Sequence, residues 1–279
     1  MDPKDSDNLK NHKRREDLDS VTTDLKGYKG VFELLLRRFR GLLHLAMMLP
    51  LYMVGSACLG LAATPGVMFF SWAHRFSAHW GPFLKYPWLG FSLAASYFIY
   101  GLTLITVIPL LNRLTVGSLK AWRGPYYSAA SFKWYLHNAF TYLVRYTFLE
   151  FVTPSPLNIF YFRQMGMKIG YGTQINSAHI SDPSLISIGN KVTIGGSATI
   201  VAHYGAGGFL VIAPTIIGDK ATIGLRATIM GGVEIGNNAK VLPNSVVLPK
   251  TKIPDGEIWG GVPAVPLDKK SLTHLRNSA

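Results

Sequence analysis

Two long stretches of the chain carry no Lys, Arg, Asp or Glu: the 33 residues from Gly41 to Ala73 and the 24 from Trp88 to Leu111. A helix of about 20 apolar residues crosses the hydrocarbon core of a bilayer. Each run therefore predicts one span, and together they predict a transmembrane hairpin. Pro50 and Pro65 are expected to kink or end the first helix, because proline supplies no backbone N–H. Ahead of it, Val31 to Arg40 spaces apolar side chains at helical intervals among Arg37, Arg38 and Arg40, an amphipathic lead-in helix at the membrane surface. The connector holds His74, Arg75, His79 and Lys85 beside Trp72, Trp80, Tyr86 and Trp88, the signature of an interfacial aromatic belt.

Residues 113–165 read differently. Fourteen aromatic residues fall between Trp122 and Phe162, interleaved with Arg123, Lys133, Arg145 and Arg163, and no uncharged run is long enough for a third span. Amphipathic helices lying in the interface are predicted, with their cations reaching up to the headgroups. A re-entrant or third membrane segment between Phe140 and Thr153 is the alternative, opposed by Arg145 and Glu150.

From 166 to 264 the period changes to six. Ile217, Ile223, Ile229, Ile235, Val241, Val247 and Ile253 recur without a slip, after an earlier set at Ile188, Ile194 and Ile200 and a first pair at Ile169 and Ile175. Two positions before each member of the long series stands a small or β-branched residue, and Gly218, Gly224 and Gly236 follow three of them. Six is neither the helical period nor plain alternation. It means short strands separated by corners, with one aliphatic side chain per strand stacked inside a parallel β-helix. The glycines are expected to ease the corner backbone. One repeat cannot bury its apolar face alone, so stacking is the fold. The predicted organisation is a polar tail over 1–30, the lead-in helix and two-span hairpin over 31–112, interfacial helices over 113–165, the repeat domain over 166–264 and a C-terminal tail over 265–279. The first tail has too little apolar surface to order itself.

Composition sharpens this picture. Only 15% of the 279 residues are charged, yet the net charge is +13. An apolar, basic chain suits an anionic membrane surface, and no nucleic-acid-binding motif accompanies the charge, so nucleic acid is not an expected partner. The single cysteine, Cys58, lies in the first apolar run and excludes an internal disulfide or a Cys-based metal cage. Basic residues flank the hairpin at Arg37, Arg38, Arg40, Arg113, Lys120 and Arg123, which places both flanks, and the repeat domain, on the cytoplasmic side.

The strip from Ile169 to Ala264, closing on Trp259-Gly260-Gly261-Val262-Pro263-Ala264, resembles the hexapeptide-repeat transferases. That resemblance implies a left-handed parallel β-helix, usually trimeric, moving an acyl group from acetyl-CoA or a similar thioester. Upstream, Ala121 to Tyr126, Phe132-Lys133-Trp134, Thr153-Pro154 and Gly166 to Gly170 resemble the membrane-embedded C-terminal region of polylysine-synthetase-type peptide synthetases. This second resemblance keeps a carrier-protein thioester and amide synthesis open.

Acyl transfer needs a base for the acceptor's proton, and near neutral pH histidine is the natural one. His203 stands where the six-residue period breaks, in a segment through Phe209 expected to project as a loop, and in the resemblance it matches the family's catalytic histidine. Ala202 replaces the threonine the family often carries before it. Asp182 and Asn176 are expected to orient the imidazole or hold the acceptor, with His179 as a further candidate. The resemblance places the CoA arm near Gly232, Ser245, Gly261 and Ala264, with Lys250, Lys252, Lys269, Lys270 and Arg276 available to phosphates. A membrane anchor implies a lipid-linked or saccharide acceptor among the membrane lipids. A metal-dependent β-helix enzyme would need three histidines with two closely spaced, and His179 and His203 are too far apart for that pattern. A non-catalytic trimeric scaffold or lipid-binding module is the remaining alternative.

Overall fold

In a computed structural model of the chain, the described residues are 26–126, 128 and 131–268. The expectations for the tail before residue 26, and for Lys269, Lys270 and Arg276, lie outside them. Helix α1 (Tyr28–Arg38) begins within the stretch expected to be tail. Helices α2 (Arg40–Phe76) and α3 (Pro82–Thr115) form the hairpin, and Leu49–Phe76 and Pro82–Thr115 are long and apolar enough to cross a membrane. Neither Pro50 nor Pro65 ends α2; both lie inside it. The two helices meet closely at Gly66, where an added Cβ would sit 2.7 Å from the Ser96 carbonyl oxygen, and the Ser96 hydroxyl donates to the Gly66 carbonyl at 2.9 Å. Small residues at such a crossing let backbones approach. Lys85 and Tyr86, expected in the connector, start α3 instead, and the Trp88 indole donates to the Ala73 carbonyl across the turn.

The aromatic segment is only partly helical. Trp122–Pro125 is a strand, not the interfacial helix expected there. Helix α4 (Ser131–Val144) runs into a π-helical turn over Arg145–Leu149, and α5 (Pro156–Gln164) follows, its first turn capped by the Ser155 hydroxyl accepting from the Leu157 N–H. Phe140, Val144, Phe148 and Leu149 pack with Leu104, Ile105 and Ile108 of α3 and with Ile175 and Ile180 of the first coil in one continuous core. Gly101 of α3 makes room for the Phe148 ring. Arg145, expected to reach up to headgroups, is buried, with its guanidinium over Tyr142 and Tyr146.

From Lys168 to Gly260 the chain is a left-handed parallel β-helix. Three ladders make its faces. Ile169, Ile188, Ile217, Ile235 and Ile253 stack on one, and Ile175, Ile194, Ile223, Val241 and Trp259 on the second. Ile180, Ile200, Ile229 and Val247 stack on the third. The small residues of the repeat, among them Ala221, Ala227 and Ala239, are wholly buried inside. The glycines act otherwise than expected. Gly218, Gly224 and Gly236 do not have positive φ; the left-handed corner positions are two residues later, at Lys220, Arg226 and Asn238. The glycine is needed because the next coil lies against it: a Cβ on Gly218 would sit 2.8 Å from the Asn237 nitrogen.

The break after Ile200 is also more ordered than a projecting loop. His203–Ala206 and Phe209–Ile212 form an antiparallel hairpin, and Trp122–Pro125 adds as a third strand against Phe209–Ile212. Gly207 and Gly208, both with positive φ, make the two-residue turn that such a hairpin favours. Arg123 lies over the Phe209 ring at 4.2 Å, on the face away from His203. The segment before α4 is thus joined, through Phe209–Ile212, to the hairpin that carries His203.

Candidate active site

Asp182 stands at the corner just below His203, in left-handed conformation (φ 60°, ψ 46°) before the 3-10 turn Pro183–Leu185. Its side chain is completely buried, yet four donors meet it. The Trp134 indole and the Asn138 amide donate to Oδ1 at 2.8 and 2.9 Å; His203 Nδ1 and the Ala202 N–H donate to Oδ2 at 2.5 and 3.2 Å. Burial alone would raise the pKa of this carboxyl, but the His203 hydrogen bond and charge, with the Asn138 hydrogen bond, hold it below the ordinary carboxylate range. An ionised carboxylate can only accept. The proton of a neutral His203 ring is therefore fixed on Nδ1, and Nε2 keeps its lone pair. The imidazole remains partly exposed, and the Trp134 ring meets it edge-on, with centroids 4.9 Å apart.

Helix α4 supplies this support because Trp134 and Asn138 are one turn apart and share a face. His137, beside them, is fully buried and donates from Nδ1 to the Asn112 amide oxygen at 2.9 Å, near the end of α3. Burial pushes its pKa down to about 4, against a weaker upward pull from Asp182, and among the described residues its Nε2 has no hydrogen-bond partner. A contact chain therefore runs from the end of a membrane-length helix through α4 to Asp182 and His203. Trp134, Asn138 and His137 were not predicted as site residues. Their helical spacing on one face was the available signal, but nothing local shows which corner that face meets.

The other predicted residues divide between two corners. Gly232 and Lys250 share the corner of His203. A Cβ on Gly231 would sit 2.6 Å from the His203 nitrogen, and the Lys250 N–H donates to the Gly231 carbonyl at 3.2 Å. With coils about 4.8 Å apart, Lys250 stands roughly 10 Å above the histidine. Ser245, Gly261 and Ala264 gather at the neighbouring corner, where the buried Ser245 hydroxyl accepts from the Gly261 N–H at 3.2 Å and the Ala264 N–H donates to the Val246 carbonyl. Asn176 is at the foot of that second corner, exposed, and among the described residues no hydrogen bond joins it to Asp182 or His203. His179 faces elsewhere too, its Nε2 2.9 Å from Glu150, which lies 3.8 Å from Arg145. Lys252 pairs with Glu234 at 3.0 Å. Among the described residues no group of three or more His, Cys, Asp or Glu gathers to hold a metal ion.

Residues 214–249 match the family model described as bacterial transferase hexapeptide (six repeats). The C-terminal unit is a hexapeptide-repeat domain. Over 177 residues, or 62% of its length, the chain is 27% identical to the delta-poly-L-ornithine synthetase of Acinetobacter baumannii, and this match spans only 13% of that protein. Among solved structures, it is similar to a hexapeptide-repeat-containing acetyltransferase from Vibrio cholerae, with 30% identity, 38% of this chain and 63% of that one covered, and a TM-score of 0.34. It is also similar to a maltose O-acetyltransferase from Clostridium difficile, with 18% identity, 53% and 92% covered, and a TM-score of 0.39. The chain spans less than two thirds of the first of these structures and about an eighth of the synthetase.

Proposed function

We propose that the protein is a membrane-bound acyltransferase that moves an acetyl or other acyl group from acetyl-CoA, or a similar thioester, to a hydroxyl or amine. The observation carrying this reading is the His203–Asp182 pair, which leaves the lone pair on Nε2 of a partly exposed imidazole. Nε2 takes the proton of the acceptor as its oxygen or nitrogen attacks the thioester carbonyl carbon. The C–S bond then breaks, and the proton passes to the departing thiolate. Asp182 holds the ring in its tautomer and stabilises the imidazolium between the two transfers. The donor would lie along the coils above His203, with Lys250 toward its phosphates and Ser245, Gly261 and Ala264 at the next corner.

The site hangs on α4, beside the end of α3, so a lipid-linked or saccharide acceptor presented at the membrane surface fits it. The excess of basic residues at both flanks of the hairpin supports a cytoplasmic repeat domain, and a homotrimer is the assembly we favour. A second reading, amide formation on an amino-acid amine, is supported by the similarity to the ornithine polymer synthetase. Purified protein incubated with labelled acetyl-CoA and host lipid extract, with products resolved by mass, separates the two readings. His203→Gln should stay folded and lose about 10²–10⁴-fold in turnover, the weight of a general base. Near-normal turnover at saturating acetyl-CoA would remove His203 from the mechanism.

A further inference from the structure

A cleft of about 620 Å³ opens where α5 meets the first coil, away from the corner of His203. Ser155, Phe160, Arg163, Tyr171, Thr173 and Gln174 are among its walls, and no Asp or Glu lines it. Its volume is that of a small-ligand site. Arg163 is held at the mouth by donating to the Ile169 carbonyl at 3.0 Å. Arg113, at the end of α3, reaches the same end of α5 and donates to the Gln164 carbonyl at 3.4 Å. Lys191, on the coil above, has its side chain against Gly172. The nearest carboxylate on that corner, Asp219, is already engaged by the Asn190 N–H and amide.

The surroundings are graded from apolar to cationic. Leu110, one turn before Arg113 on α3, and Leu114 are exposed, as is Phe160 on α5. These apolar side chains border the end of a helix long enough to cross a membrane, where Arg113 also stands, while Arg163 lines the cleft itself and Lys191 lies against Gly172 in its wall. From this charge complementarity we infer that the cleft binds the phosphate headgroup of an anionic phospholipid, with its acyl chains along the exposed end of α3. The site requires the chain to sit in a membrane but is independent of the acyl-transfer chemistry. Its role would be to fix the height of the prism above the leaflet.

The test uses the full chain in detergent, titrated with phosphatidylglycerol, phosphatidylcholine or inorganic phosphate and read by native mass spectrometry. Phosphatidylglycerol should be retained over phosphatidylcholine. Each interfacial cation contributes about a fivefold gain in lipid affinity, so Arg113→Gln with Arg163→Gln should weaken retention by about 25-fold. Lys191→Gln alone, at an exposed side chain, should weaken it by up to about fivefold. Equal retention of the two lipids, or undiminished retention in the folded variants, overturns the inference. Displacement of phosphatidylglycerol by inorganic phosphate at equal concentration overturns it as well, because the site would then take free phosphate.

Discussion

Replacing Asp182 with asparagine changes one atom and should disable the site. The carboxylate now accepts four hydrogen bonds, two on each oxygen. Asparagine offers one oxygen and one NH₂, so two of the four donors must face a donor. If the oxygen takes the Oδ2 position, His203 and Ala202 stay satisfied, but the Trp134 indole and the Asn138 amide are orphaned in a fully buried place. Each buried unsatisfied donor costs about 1–3 kcal/mol, so this arrangement costs about 2–6. If the oxygen takes the Oδ1 position, only the Ala202 N–H is orphaned, for about 1–3 kcal/mol, provided that His203 moves its proton to Nε2 and accepts at Nδ1. The second arrangement wins by about one orphaned donor. It leaves the proposed base protonated at the atom that should take the acceptor's proton, and such a tautomer reversal costs about 10⁴-fold elsewhere. Asp182→Asn should therefore melt only modestly earlier than the wild type while its turnover on acetyl-CoA falls by about 10³–10⁴-fold, with KM little changed. A folded variant within tenfold of wild-type turnover would refute both the tautomer argument and the role of Asp182.

The buried His137 makes a prediction about acid. Its folded pKa of about 4 lies below the ordinary 6.5, so the unfolded chain binds that proton first and stability should fall by about 3 kcal/mol as pH drops from 6.5 to 4, then level off. Asp182, also held below its ordinary value, loses its own contribution only at still lower pH, so the two windows separate. His137→Asn, which can keep the donor to Asn112, should flatten the slope between pH 6.5 and 4 in detergent melts, and an unchanged slope would assign it to other groups. For topology, reporters after residue 279 and in the connector at 77–81 should fall on opposite sides of the membrane; the same side for both would exclude a two-span hairpin. Mass photometry in detergent should count three chains per particle, and an active, strictly monomeric species would dismiss the trimer.

What could be read from the sequence was what repeats or runs. The six-residue recurrence of Ile217 through Ile253 places each aliphatic side chain on a ladder because the coil imposes the same environment at each turn. The uncharged runs mark α2 and α3 for a similar reason: the signal is the composition of a whole segment, and both helices are long and apolar enough to cross a membrane. Errors lie where one position decides. Gly218 looks like a corner-easing glycine, yet the corner strain falls on Lys220, and the glycine answers to Asn237 of the next coil, a neighbour invisible in local sequence. The segment after His203 was expected to project as a loop and is a hairpin turning at Gly207-Gly208, and its pairing with Trp122–Pro125, such as Trp122 with Ile212, joins positions far apart in the chain and has no periodic signature. Asp182 and His203 could be nominated by residue type. That Asp182 is buried under Trp134 and Asn138 depends on α4 docking to one corner of the prism, which is tertiary information.

On the proposed membrane-bound reading, that docking changes what the helical segment is for. A tether would need only to hold the prism near the lipid, and its contacts with the prism would be peripheral. Here two of the four donors on Asp182 come from α4, and α4 is fixed to α3 through His137 and Asn112. Phe148 and Leu149, from the π-helical turn that continues α4, and Tyr161 of α5 share a core with Ile175 and Ile180 of the first coil. Without α4 the Asp182 carboxylate would keep only His203 and the Ala202 N–H, at a corner opened to water, where screening weakens its hold on the imidazole. The orientation of the proposed base is therefore set jointly by the repeat domain, which supplies His203 and Asp182, and by the membrane-side helices, which complete the shell around Asp182. On this reading the acyltransferase is built across the join between its two parts, with the base at the end of the prism from which a membrane-borne acceptor arrives.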